Sequence, residues 1–97
     1  MHAFIVLPEA EQDLGAAFSW YEKRQAGLGH AFMAEAGIVF LRLRRSPTIH
    51  AIVRGNVRRT LIARFSHVVY YRVVESTVIV FGVLHDKRHE REWKKRV

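Results

Sequence analysis

Apolar residues in the first half of the chain recur at steps of three and four, the spacing of helices that bury one face. A short apolar run, 4–7, ends at Pro8 and predicts a first strand followed by a helix with proline in its first turn. Gly27 and Gly29 end this helix, and a second amphipathic helix is predicted from about residue 30 to 44. Together they predict a helical hairpin. The apolar stripe of the first helix consists of Ala10, Leu14, Ala17, Phe18 and Tyr21.

From residue 57 onward the period changes from about four to two. The runs 57–65, 67–74 and 77–84 predict strands, and the short links between them make the strands antiparallel. The order predicts an α+β fold, β-α-α-β-β-β with a basic C-terminal tail or helix, whose helical hairpin packs on one face of a small antiparallel sheet. In the first of these strands we expect one face to be core, formed by Val57, Arg59, Leu61, Ala63 and Phe65.

Length and composition limit the class of protein. The whole chain, 1–97, is expected to form one domain, because this length suffices for one small core. The chain contains no cysteine, which excludes disulfides and thiolate metal sites and favours the reducing cytoplasm as its location. The N-terminal apolar run is too short for a signal sequence or a membrane span, so we expect no membrane contact.

The net charge of +7 is unevenly distributed along the chain. Residues 36–74 contain eight arginines and no acidic residue. The planar guanidinium group of arginine makes bidentate contacts with phosphate or carboxylate, so this segment predicts an acidic partner, either nucleic acid or an acidic protein. The alternative is that some of these arginines only keep the fold soluble.

The segment HDKRHEREWKKR, residues 85–96, contains the densest set of polar groups. His85 and His89 are four residues apart. On a helix this spacing would place both rings on one side, where they could bind a metal ion together. Their basic neighbours would repel a divalent cation, and no third ligand is evident, so we predict neither a metal site nor a cofactor. Those neighbours are Lys87, Arg88 and Arg91.

Two further chemistries fit the same part of the chain. Cleavage of RNA through its 2′-hydroxyl needs a proton acceptor near neutrality and cations on the phosphate, for which His85, Arg88 and His67 are candidates. Such a nuclease would be metal-free, because 36–74 contains no acidic pair. The tail, 94–96, is also a candidate for phosphate contacts, although Glu90 and Lys94 have the spacing of an ordinary exposed helix.

Three aromatic residues, Trp20, Tyr21 and Trp93, are candidate anchors for a protein partner, because aromatic side chains dominate such interfaces. The alternative for each ring is that it completes the core of a small domain.

From residue 8 to 96 the chain resembles the RelE/ParE superfamily of bacterial toxins, in particular the ParE-type or plasmid-stabilisation branch. Each motif is short, but their order and spacing extend over nearly the full chain. The motifs are Ala10 and Asp13-Leu14 with Trp20-Tyr21-Glu22; Gly27-Leu28-Gly29 with Phe32; Ser46-Pro47; Val57-Arg58-Arg59; Arg64-Phe65; Val69-Tyr70-Tyr71; and His85, Arg88, Trp93 and Arg96.

This resemblance implies the toxin of a type II toxin–antitoxin pair, bound and neutralised by a cognate antitoxin. It implies that the toxin meets operator DNA only through the antitoxin complex, which represses its own operon. Members of the superfamily are either ribosome-dependent mRNA endonucleases or inhibitors of DNA gyrase, and fold alone does not decide between them.

The resemblance also implies site residues. If the chain is a ribonuclease, Arg58, Arg64, His85 and Arg88 are its candidate catalytic residues. The arginine that the ribonuclease branch has on the next strand is replaced here by Val68, which favours gyrase inhibition over mRNA cleavage. A remoter alternative is a non-toxic basic nucleic-acid-binding module. The candidate partner-binding residues are Trp20, Tyr21, Trp93 and Arg96.

Overall fold

The computed structural model describes residues 2–87 and 89–96, which form an α+β fold. The predicted order β-α-α-β-β-β with a C-terminal helix is confirmed, and one short strand, β2, is added after the hairpin. The elements are β1 (Ala3–Val6), α1 (Pro8–Arg24), α2 (Leu28–Arg45), β2 (Ile52–Arg54), β3 (Val57–Leu61), β4 (His67–Val74), β5 (Thr77–His85) and α3 (His89–Lys95).

The turn between α1 and α2 depends on two glycines. Gly27 has a φ of +88°, a left-handed conformation that residues with a side chain rarely adopt. At Gly29 an added Cβ would lie 2.6 Å from the carbonyl oxygen of Phe18, so only glycine lets the two helices approach this closely. The Glu22 carboxylate accepts the backbone N–H groups of Gly27 at 2.8 Å and Gly29 at 2.9 Å, which holds the start of α2 against the end of α1.

The five strands form one sheet in the order β1-β5-β4-β3-β2. The strand β1 is parallel to β5 and pairs with it only from Thr77 to Val80, whereas the other neighbours are antiparallel. The helical hairpin covers one face of the sheet, and we call this side the hairpin face. Its core contains, among others, Phe32, Val39, Leu43, Val69, Tyr71, Val78 and Val80.

The opposite face of the sheet has a smaller core, centred on Trp93 of α3. The Trp93 ring stacks on Tyr70 with 5.6 Å between ring centroids. The remaining buried members of this cluster are Val57, Val68 and Phe81. We call this side the α3 face. Since both faces of the central strands are covered, β4 and β5 are apolar along most of their length.

The predicted strand 57–65 is too long. The strand β3 ends at Leu61, and the chain then turns through Arg64, whose φ is +72°. Ile62 and Phe65 are buried beneath the hairpin from this turn, whereas Leu61 is 54% exposed. The prediction that 57, 61 and 65 share one core face was therefore wrong, because a two-residue period applies only while the backbone stays extended.

Among the residues that the structure describes, no helix has both the length and the apolarity to cross a bilayer.

Candidate functional site

The outer edge of β5 is paired with another strand over only part of its length. Because β1 pairs with β5 only as far as Val80, the last part of β5, 81–85, extends beyond it. Side chains replace the missing strand there. The Asp13 carboxylate of α1 accepts the backbone N–H of Val83 at 2.9 Å, and the Arg96 guanidinium donates to the carbonyl of Phe81 at 3.2 Å.

Asp13 and Arg96 also form a partly buried ion pair with two hydrogen bonds, of 2.5 and 3.2 Å. This bidentate geometry is the strongest arrangement that arginine and a carboxylate adopt. It ties the C-terminal end of the chain to α1 and to the free edge of β5. Arg96, predicted to bind a partner, is therefore engaged within the chain, and a partner contact by Arg96 remains a prediction.

A groove of about 570 Å³ lies beside this edge, between α1, the end of β5 and α3. We call it the edge groove. Small and aliphatic side chains, including Ala16, Ala17 and Leu84, line much of it. Polar groups, among them His85 and Lys87, also line it. An apolar groove with a few convergent polar groups is the usual form of a ligand or peptide site.

His67, Tyr21 and His85 form a cluster beside the groove. Tyr21 Oη lies 2.9 Å from His67 Nδ1, and the rings of His67 and His85 lie 5.4 Å apart. Burial and the neighbouring His85 lower the pKa of His67 to about 4, and burial raises the pKa of Tyr21. At neutral pH the tyrosine therefore keeps its proton to donate to Nδ1, and His67 is uncharged. Its Nδ1 lone pair is taken by this hydrogen bond and Nε2 carries the ring proton, so His67 supplies neither a free base nor a positive charge.

Trp20 is the accessible aromatic residue at this site. The residue is 45% exposed and lies on the rim of the edge groove, and the Arg24 guanidinium lies 3.7 Å from the centroid of its ring. The cation over one ring face limits the motion of the side chain without burying it. Trp20 is therefore an accessible aromatic side chain that is already held in place on the rim of the groove.

The other two predicted aromatic anchors lie inside the fold. Tyr21 is 7% exposed and packs among Phe32, Phe65 and His67, and Trp93 is 4% exposed against Tyr70. The alternative that each ring completes the core accounts for these positions. A direct contact between either ring and a partner remains a prediction.

The structure does not bring all candidate catalytic residues together. His85 lines the edge groove, but Arg58 and Arg64 are absent from its lining. Arg58 donates to the carbonyls of Thr48 at 3.1 Å and His50 at 2.6 Å, which holds the loop after α2. Arg64 is exposed and lies 3.8 Å from the Glu35 carboxylate on α2. Arg88 lies outside the described residues.

Val68, where the ribonuclease branch has an arginine, is fully buried on the α3 face. No group of three or more potential metal ligands occurs within 2–87 and 89–96.

Sequence reasoning missed a set of arginines on the α3 face. Directly paired residues on neighbouring strands point to the same side of a sheet. Arg54 pairs with Val57, which pairs with Arg72, and Arg59 pairs with Tyr70, so these three arginines share the face that carries Trp93. Lys94 of α3 lies 5.9 Å from the Trp93 ring. We call Arg54, Arg59, Arg72 and Lys94 the cationic face. The alternation along β3 placed Arg59 with Val57, but the strand register that adds Arg54 and Arg72 has no local signal in the sequence.

Comparison with known proteins gives two similarities and one negative result. A family model described as "ParE toxin of type II toxin-antitoxin system, parDE" matches residues 4–90. A solved structure titled "Chromosomal ParDE TA system from P. aeruginosa" is similar in fold, with a TM-score of 0.64 and 18% sequence identity, covering 88% of this chain and 96% of the other. No curated protein sequence matches significantly.

Proposed function

The chain belongs to the ParE toxin family of type II toxin–antitoxin systems, and on that premise we propose that it arrests growth by inhibiting DNA gyrase without catalysing a reaction. One observation carries the choice of a non-enzymatic mechanism. Arg58 donates hydrogen bonds to loop carbonyls and Arg64 lies beside Glu35, so neither residue lines the edge groove with His85. Stabilising a cleaved phosphate requires cations that converge on one point.

The second candidate function is ribosome-dependent, metal-independent mRNA cleavage. It is favoured by the edge groove itself, where the neutral imidazole of His67 lies beside His85 and Lys87. Histidine is the residue type that most often transfers protons in catalysis. The third, remoter candidate is a non-toxic nucleic-acid-binding module.

We propose that the edge groove, with Trp20 on its rim, contacts the gyrase protein. An exposed tryptophan next to a concave apolar surface has the chemistry of an interface hot spot. We also propose that the protein acts in the cytoplasm, where both candidate targets operate.

We expect the purified chain to inhibit supercoiling by purified gyrase and to leave translated messages uncut. Supercoiling on gels and primer extension on messages translated in vitro are the two measurements. Cuts inside codons, with gyrase fully active, would show that the order of the two candidates is reversed. An unchanged viable count after expression of the chain alone would instead favour the non-toxic module.

A pair of matched variants tests the contact surface in the same assay. Ala16→Trp places an indole in the edge groove, and Ala34→Trp places one on the exposed side of α2. We expect Ala16→Trp to weaken gyrase inhibition by at least about 30-fold, the size of a hot-spot loss of 2 kcal/mol, and Ala34→Trp to leave it within threefold. Equal inhibition by both variants would exclude the groove as the contact.

We propose that a cognate antitoxin neutralises the chain by laying an amphipathic helix on α2. This helix exposes three large apolar side chains on its outer side, Met33, Ile38 and Leu41, at successive steps of five and three residues. Basic residues follow at the end of α2 and suit an acidic antitoxin. Recognition of operator sequence is assigned to the antitoxin, and the toxin joins that complex through it.

Ile38→Asp should abolish neutralisation while keeping toxicity, because it places an uncompensated charge in the middle of this apolar surface. We expect binding to the co-expressed antitoxin to weaken by at least about 30-fold. Co-purification and recovery of growth in co-expressing cells are the measurements. Ile49→Asp, at an isoleucine that is 72% exposed in the loop after α2, is the matched control and should still be neutralised. If Ile38→Asp is neutralised as well, the antitoxin binds elsewhere.

A further inference from the structure

We infer that the cationic face binds the phosphate backbone of duplex DNA. The inference rests on the proposed function, since gyrase holds duplex DNA while it acts, and it assigns a DNA contact to the toxin itself. The cationic face lies on the side of the sheet opposite the helical hairpin. A partner seated on α2 would therefore leave it uncovered.

The charges of this face come from adjacent elements. Arg54, Arg59 and Arg72 stand on β2, β3 and β4, which are neighbours in the sheet, and Lys94 stands on the helix that packs over the same face. Neighbouring strands are about 4.8 Å apart, so Arg54 and Arg72, separated by one strand, have backbones roughly 10 Å apart. The strands β2, β3 and β4 contain no acidic residue, and of the two glutamates of α3, Glu90 and Glu92, Glu92 lines the edge groove. The face therefore has the charge of a surface that displaces counterions from DNA.

An aromatic ring lies beneath the Arg72 guanidinium. Trp93 stacks on Tyr70, the residue that pairs with Arg59, and the Arg72 guanidinium lies 5.5 Å from the Phe81 ring. An arginine whose guanidinium already lies over a packed ring loses less freedom when it meets a phosphate.

Duplex DNA fits this face better than a single strand does. Proteins that bind single strands stack the bases on accessible aromatic side chains. The aromatic residues on the α3 face, Tyr70, Phe81 and Trp93, are all buried, and the exposed tryptophan, Trp20, lies on α1. A face with guanidinium groups and no accessible ring offers contacts to a phosphate backbone only.

The test is binding of the full chain to a labelled duplex of about 20 base pairs by fluorescence anisotropy, between about 50 and 200 mM salt. The double variant Arg54→Gln/Arg72→Gln should bind about 10- to 100-fold more weakly than the wild type. It should also lower the slope of log K against log salt by about 2, the value for two lost phosphate contacts. The control Arg42→Gln/Arg45→Gln removes the same charge from the end of α2 and should stay within threefold.

Several results would overturn the inference. These are no duplex binding by the wild type at low salt, equal weakening by both double variants, or stronger binding to single-stranded DNA or to polyglutamate, which would indicate an acidic protein partner. Arg54 is exposed at the sheet edge, so Arg54→Glu alone tests the face if loss of Arg72 impairs folding.

The supercoiling assay separates this inference from the proposed function. A wild type that binds duplex DNA through the cationic face but leaves gyrase active would overturn the proposed function and support this inference. A wild type that inhibits gyrase without binding duplex DNA would support the proposed function and overturn this inference.

Discussion

Trp93→Ala should lower the free energy of unfolding by about 3–5 kcal/mol, the usual cost of deleting a buried aromatic side chain. Trp93, on the seven-residue helix α3, is buried in the core of the α3 face. A helix this short has little stability of its own and depends on such packing. The loss would be a large part of the stability of a domain this size.

Urea unfolding followed by far-UV circular dichroism measures this effect, and Trp20→Ala is the matched control. Trp20 is 45% exposed, so its removal should cost less than about 1.5 kcal/mol. Because α3 carries Lys94 beside the Trp93 ring, Trp93→Ala should also weaken duplex binding. Equal destabilisation by the two variants would mean that Trp93 does not anchor α3.

Acidification from pH 7 to pH 4 should remove roughly 3 kcal/mol of stability through His67 alone. Its pKa is about 4 in the fold, against 6.5 for an ordinary histidine. The unfolded chain therefore takes up a proton at this residue below pH 6.5, and the folded chain does so only near pH 4. This contribution to stability is complete above pH 6.5, falls as the pH drops, and is lost below 4.

The groups around His67 explain the direction of this change. Burial of the ring is the main cause of the lowered pKa, His85 lowers it further, and Asp13 raises it more weakly. The Tyr21 hydroxyl lies 2.9 Å from Nδ1. His67→Gln keeps a hydrogen-bond acceptor for Tyr21 but does not titrate. Its unfolding free energy, measured in urea at each pH, should therefore fall by about 3 kcal/mol less than that of the wild type between pH 7 and 4. If the unfolding free energy of His67→Gln and of the wild type falls equally between pH 7 and 4, the acid sensitivity comes from carboxylates and not from His67.

Much of the fold could be predicted because its signals are local. The stripe from Ala10 to Tyr21, the glycines after α1 and the valine-rich runs of β4 and β5 each specify an element through contacts within a few residues. The prediction was wrong where the backbone left the extended conformation, at Ile62 to Phe65, and it missed β2, which has only three residues.

The candidate site was less predictable because it joins distant parts of the chain. Asp13 and Arg96 are separated by 83 positions and meet only because β1 stops short of the end of β5. Arg58 had the residue type of a catalytic cation, but its position in the sheet directs it to the loop carbonyls of Thr48 and His50.

The sequence by itself determined the α+β class, the order of the helices and main strands, the family resemblance and the excess of arginine in residues 36–74, because composition and local period carry that information. Only the tertiary structure decided which arginines act together. Strand register places Arg54, Arg59 and Arg72 on one face and directs Arg58 to the other. Register depends on pairing between distant segments of the chain. A shift of one residue would move every side chain of a strand to the opposite face of the sheet.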